Sequence, residues 1–296
     1  MRPFVPNFEL RRRARQAVFP LLSLMAVIGL IATLPDLLYT AVTLMTGSNP
    51  AVLMDSLTEQ MEALRSSGLT GDALSAAANQ VMLDFNNQCT AFLDAKGGIL
   101  FPLVAAVMVL GPVLALPMRY ALLLALRQEE FTLGTAMTRC RWGLCALGVS
   151  LLTALKALLW TLPGYAVMIV ALFLPGGLAM LLMLAGMVAA IVMGVQASYR
   201  YAMSVYVLAD QPGTRALACI RRSCKIMHTR KMELCGLQLS YIGWSLLLSR
   251  VQALLTVILG QVIGLTLGML LNLILQLYMH GGEAAFYEAY AHPAEA

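Results

Sequence analysis

From Val18 to Met45 the chain carries a single charged side chain, Asp36. Apolar runs of comparable length recur further along, and crossing a bilayer as a helix takes about 20 such residues. An unpaired peptide group in hydrocarbon is costly enough that only helices and closed barrels can cross, and these runs lack the alternation of a barrel strand. Charged residues are 12% of the sequence and mean hydropathy is +0.78. This pattern predicts an all-α, polytopic helical membrane protein with 1–296 as one integral-membrane domain. About six spans are expected: Val18 to Met45, Ile99 to Met118, Trp142 to Leu162 with an extension past Pro163, Leu178 to Tyr199, Leu234 to Leu248, and Val251 to Tyr278. The first is too long for a signal peptide and lacks a small-residue cleavage pattern, so it is expected to stay as an anchor.

Charge orients the spans, because Lys and Arg near span ends are retained on the cytoplasmic side. With the N-terminus inside, sixteen of the twenty basic residues face inward. Only Arg65, Lys96 and Arg250 then face outward, and Lys156 lies within a span. The expected location is the bacterial cytoplasmic membrane, multi-pass, with both termini cytoplasmic. Basic residues beside span ends fit anionic lipid at the inner face and not nucleic acid. The expected lipid contacts are Arg11, Arg12, Arg13, Arg15, Arg215, Arg221, Arg222, Lys225, Arg230 and Lys231. Of six cysteines only Cys89 falls in the outer loop, so no disulfide framework is implied.

A short basic segment precedes every odd-numbered span, at Glu9 to Arg15, Thr132 to Arg141 and Thr214 to Lys231. The unit of basic helix, span, span therefore occurs three times, and Arg119-Tyr120-Ala121 and Arg200-Tyr201-Ala202 close corresponding spans. The third segment, 212–232, reads as a cytoplasmic basic amphipathic helix, with Leu217, Ile220, Cys224 and Met227 at helical spacing, Pro212-Gly213 as a break and Thr214 as its cap. The outer loop, 46–98, reads as an extracytoplasmic helical hairpin. Leu53, Leu57, Met61 and Leu64 form one stripe, Leu74, Ala78, Val81, Phe85 and Phe92 another, and Gly68 and Gly71 flank the turn. Six acids, Asp55, Glu59, Glu62, Asp72, Asp84 and Asp94, suit a segment away from anionic lipid.

Ionisable groups inside spans are costly, which singles out Asp36 and Lys156 as an intramembrane polar pair. Each alternatively extends to the outer headgroups, with Trp160 as an anchor near Lys156. Gly260, Gly264 and Gly268 recur every fourth residue and mark a helix-packing face, which Asn272 and Gln276 extend with hydrogen-bonding groups. No catalytic, cofactor or metal site emerges. His228, His280 and His292 fall near the inner surface without metal-site spacing, and nucleophile-elbow and phosphate-loop patterns are missing.

The segments Leu159-Trp160-Thr161-Leu162-Pro163-Gly164, Tyr206-Val207-Leu208-Ala209-Asp210, Ala218 to Lys225, Leu237-Gln238-Leu239-Ser240-Tyr241-Ile242-Gly243-Trp244 and Ala285-Phe286-Tyr287 occur in this order. Together they resemble an uncharacterised bacterial integral-membrane family, domain of unknown function 975, common in Firmicutes and distantly similar to the membrane region of glycerophosphodiester phosphodiesterases. The family has no established activity, and the phosphodiesterases keep their chemistry in a soluble domain this chain lacks. The sequence departs from the family at Ala171 to Val195, with a Pro-Gly-Gly turn and an extra apolar run.

The expectation is thus a non-enzymatic envelope or membrane-complex component, without cofactor, with the lipid bilayer and a membrane protein as partners. Two alternatives compete. One is a transporter or lipid-handling permease using Asp36 and Lys156; the other is a lipid-acting membrane enzyme, for which Glu129, Glu130, Arg200, Asp210 and His228 would have to converge at the inner face.

Overall fold

A computed structural model describes residues 5–47, 51–174 and 177–291, and among them every regular element is helical. The chain divides into two compact units, Met1–Thr33 with Pro112–Ala296, and Leu34–Gly111. The Pro-Gly-Gly turn expected at 175–177 falls partly outside the described residues, as does His292.

The first basic segment forms α1 (Asn7–Val18), which continues through a 3-10 turn into α2 (Leu22–Thr46). Pro35 lies inside α2, where a span tolerates the lost backbone hydrogen bond. In the Leu34–Gly111 unit, α2 ends before Gly47, whose φ is 61°, and the Lys96 Nζ donates to the Thr46 carbonyl at 2.8 Å. A cation there complements the negative end of the helix.

Next come α3 (Ala51–Ser66) and α4 (Gly71–Leu126), turned about Gly68 and Gly71 at φ 69° and 63°. Leu53, Leu57 and Leu64 on α3, and Ala78, Val81, Phe85 and Phe92 on α4, are half-buried. The Ser56 hydroxyl reaches Gln88 across the turn at 3.1 Å. Met61 and Leu74, expected on the same stripes, are exposed. The expected boundary near residue 98 is absent: the hairpin's second arm and the second span are one helix, because nothing in 71–101 breaks it and Pro102 falls where the run is already apolar.

In the other unit, Thr132 caps α5 (Leu133–Met137) by accepting from the Thr135 amide. A 3-10 turn over Thr138–Trp142 leads into α6 (Gly143–Ala171), which continues past Pro163. Its partner α7 (Gly177–Tyr201) packs along it at small residues. A Cβ on Gly164 would fall 2.5 Å from the Ala190 nitrogen, and one on Gly186 would fall 2.9 Å from the Gly164 carbonyl oxygen. This close backbone approach is the small-residue contact typical of membrane helices.

A turn at Ala202-Met203 separates α7 from α8 (Ser204–Asp210). Then Gly213, at φ 87°, lies against the Trp142 ring and leads to the third basic helix, α9 (Ala216–Ile226). Arg215, not Thr214, occupies the cap position, since the Thr214 hydroxyl is turned back to the Gln211 carbonyl. Finally α10 (Lys231–Leu259) and α11 (Gln261–Ala291) form an antiparallel pair. The expected break at Ser249-Arg250 is displaced to Gly260, whose φ of 82° supplies the left-handed residue that the reversal requires.

Five helical stretches among the described residues are long and apolar enough to cross a membrane: Asn7–Thr43, Ala73–Leu126, Leu133–Ala171, Gly177–Asp210 and Lys231–Leu259. Their flanks expose apolar side chains such as Leu151, Leu155, Leu158 and Leu159 on α6, as lipid-facing helices do. The buried core lies instead at the ends that carry the basic helices. There three helix ends contribute fully buried runs: Ala121 to Ala125 of α4, Tyr206 to Ala209 of α8, and Ala284 to Tyr287 of α11. Leu10 and Val18 of α1, Met25 and Ile28 of α2, Cys219 of α9, and Leu234 and Leu237 of α10 join the same cluster.

Candidate functional site

Within that core the helix ends bring charged side chains together. Arg127, immediately after α4, places Nη2 2.7 Å from Asp210 Oδ1 at the end of α8 and 2.6 Å from Glu288 Oε1 on α11. Its Nε also donates to Glu288, at 2.8 Å. The second Asp210 oxygen accepts from the Tyr287 hydroxyl at 3.1 Å. One guanidinium fork thus ties three helix ends, using the planar geometry that suits carboxylates. Burial alone would lower the Arg127 pKa, but the hydrogen bonds and charges of Asp210 and Glu288 outweigh it and raise the pKa above the ordinary value. Burial and the adjacent Asp210 likewise raise the Tyr287 pKa well above its usual range, so the phenol stays a donor.

One helical turn before Tyr287, beyond the apolar part of α11, Glu283 anchors a second group. Its Oε2 accepts from the Tyr206 hydroxyl at 3.0 Å and lies 3.1 Å from His280 Nδ1, while Oε1 accepts from Gln238 at 2.9 Å. Arg119 Nη1 lies 3.8 Å away, and its guanidinium sits 5.0 Å from the centre of the Tyr206 ring. Burial would raise the Glu283 pKa, but the His280 hydrogen bond and charge, then Arg119 and Gln238, overturn that effect and hold it down at about 2. Tyr206 and Tyr287 are themselves stacked, with ring centres 6.1 Å apart, so the two groups adjoin.

Beside the network a cavity of about 790 Å³ lies against α1, the loop after α4 and α11, with Glu129, Glu130, Thr132 and Arg13 on its rim. Both glutamates are exposed, and Arg13 is paired with Glu9 at 2.6 Å.

The residues singled out from sequence are placed unevenly. Asp36 is exposed in the Leu34–Gly111 unit, and Lys156 is half-buried in the other. Gly264 and Gly268 both face α10: a Cβ on the first would collide with the Thr256 backbone, and on the second with the Gln252 side chain. Asn272 donates to that same Gln252 at 3.3 Å. Gly260 needs correction, because it is the turn between two helices and not part of a packing face; a Cβ there would meet nothing within 4 Å.

Among the basic residues, Arg12, Arg15, Arg215, Arg221 and Lys225 are exposed, Arg11, Arg222 and Lys231 half-buried. Arg230 is held by Glu233 at 2.6 Å and lies over Tyr290, 4.6 Å from its ring centre. Of the five groups that a lipid-acting enzyme would need, Asp210 is engaged by Arg127 and Tyr287, Arg200 sits over Trp160, His228 is exposed, and Glu129 and Glu130 line the cavity. Trp244 is exposed, and Tyr241 is buried edge-on against Tyr278.

Sequence patterns do not single out Arg127, Glu283, Glu288 and Gln238 as a group. Their spacing along the chain is irregular, and Asp210, Arg119 and Gln238 stand out only as parts of other patterns.

A family described as protein of unknown function (DUF975) matches residues 73–292. No curated protein matches, and no solved structure does. The distant similarity to glycerophosphodiester phosphodiesterases is therefore not shown.

Proposed function

The chain belongs to the DUF975 family of proteins of unknown function, and from that premise we propose that it is a non-enzymatic structural component of the bacterial cytoplasmic membrane, a subunit of a membrane protein complex. Both termini and the basic helices α1 and α9 face the cytoplasm in this reading. The observation that carries it is the closure of the half-buried charged network: Arg127, Asp210, Glu288, Glu283, Arg119 and His280 take one another as partners. A buried carboxylate held at low pKa by three neighbours is poorly suited to acid–base work near neutral pH. Such a network costs desolvation and returns a fixed arrangement of helix ends. That suits a scaffold whose inner face must keep its shape.

The test is mild solubilisation of the full chain from native membranes followed by native mass spectrometry. A defined stoichiometric assembly with one other membrane protein, retained after reconstitution of the two purified components, is the expected result. A lone chain that moves a solute across vesicles, or that converts lipid, would overturn the proposal.

A further inference from the structure

Where the last turn of α9 meets the start of α10 and the end of α11, the surface folds into a hollow of about 450 Å³. Arg222, Lys225, Ile226, Thr229, Arg230 and Tyr290 line it. Three of these are cations. Arg222 donates to the Gln211 amide oxygen, which orients the guanidinium without neutralising it. Lys225 is exposed in the last turn of α9. Arg230 shares its charge with Glu233, the acid adjoining this group, so the positive charges of Arg222 and Lys225 are not balanced within the lining. Tyr290, whose hydroxyl oxygen accepts from the Val5 amide, packs beneath Arg230 and closes the floor.

We infer that this hollow is a binding site for a phosphate group, carried by an anionic lipid headgroup or by a small soluble phosphate. A planar guanidinium, an ammonium and a threonine hydroxyl around one concavity provide forked, point-charge and neutral donors to a tetrahedral oxyanion. The volume takes a headgroup or a small phosphate ester but not acyl chains. A convex basic face would hold anionic lipid only through its averaged field, each cation counting alike. Concavity makes a different demand: cations lining the hollow count for more than cations on the same helix outside it. Arg221, exposed and adjacent in sequence to Arg222, is absent from the lining and serves as the internal comparison. The inference goes beyond the proposed complex, since it assigns a ligand and stands or falls whether or not a partner protein exists.

The experiment uses the full chain in two forms. In neutral detergent it is titrated with inorganic phosphate; in nanodiscs of zwitterionic lipid it is loaded with a small fraction of phosphatidic acid, and retained lipid is counted by native mass spectrometry. Lys225→Gln is the first variant because Lys225 makes no hydrogen bond in the folded chain that its loss would break among the described contacts. It is expected to weaken phosphate or phosphatidic acid binding by about fivefold, and Arg222→Gln with Lys225→Gln by about twentyfold, against less than about twofold for Arg221→Gln. Response to inorganic phosphate assigns a soluble ligand, and response only in nanodiscs assigns the headgroup. Equal losses for Arg221→Gln and Lys225→Gln, or no saturable binding in either form, would overturn the inference.

Discussion

Arg127 Nη2 stands 2.7 Å from Asp210 Oδ1, joining the end of α4 to the end of α8 across the buried core. Asp210 is only 6% exposed in its side chain, and Arg127 29%, so water can do little to replace the cation at the carboxylate.

Removing the cation while leaving the carboxylates should therefore be severe. Arg127→Gln leaves Asp210 and Glu288 facing one another without their shared partner, which costs on the order of 3 kcal/mol in buried pairs. The expected outcome is a clearly lowered unfolding midpoint in detergent, with Arg127→Lys between variant and parent because an ammonium keeps the charge but loses the fork. An unchanged midpoint for Arg127→Gln would show that the network contributes nothing.

Glu283 predicts an acid-sensitive fold. Its folded pKa of about 2 lies below the value of 4.5 for a free carboxyl, so its contribution is fully present above pH 4.5 and is lost as pH falls toward 2. Arg119, His280, Gln238 and Tyr206 all face it. Stability measured against pH should fall more steeply through this window in the parent than in Glu283→Gln, which has no proton to take up. Parallel curves would contradict the assignment.

The pairing of α6 with α7 depends on backbone contact at Gly164. Gly164→Val forces a branched side chain into the Ala190 backbone and should destabilise by about 1–3 kcal/mol. Gly148→Ala on the same helix meets nothing within 4 Å and should be close to neutral, by thermal melting in the same detergent.

Much of this fold is legible in the sequence, because lipid leaves a chain few options. Long apolar runs imply the helical class, and basic residues at Arg11 to Arg15 and Arg215 to Lys231 mark α1 and α9. The details that fail share one cause: composition does not reveal backbone geometry. Gly260, Gly264 and Gly268 look equivalent by spacing, yet one is a turn at positive φ and two lie against α10. The tighter contact sets Gly164 of α6 against Gly186 and Ala190, which stand four residues apart on α7 as Gly264 and Gly268 do on α11; that step is present in the sequence but is one of many among the small residues of α7. The polar network is harder still. Arg127, Asp210, Glu283 and Glu288 are ordinary charges at ordinary helix ends until α4, α8 and α11 converge. Asp36 and Lys156, more conspicuous as charges within apolar runs, fall in separate units.

In the proposed arrangement the basic end of the helices faces the cytoplasm. Single cysteines at Lys225 and at Asp55, introduced into a cysteine-free chain, test this in intact cells with a membrane-impermeant thiol reagent. Labelling of the Asp55 position alone, with the Lys225 position labelled only after lysis, is the predicted result. Labelling of the Lys225 position in intact cells would contradict it.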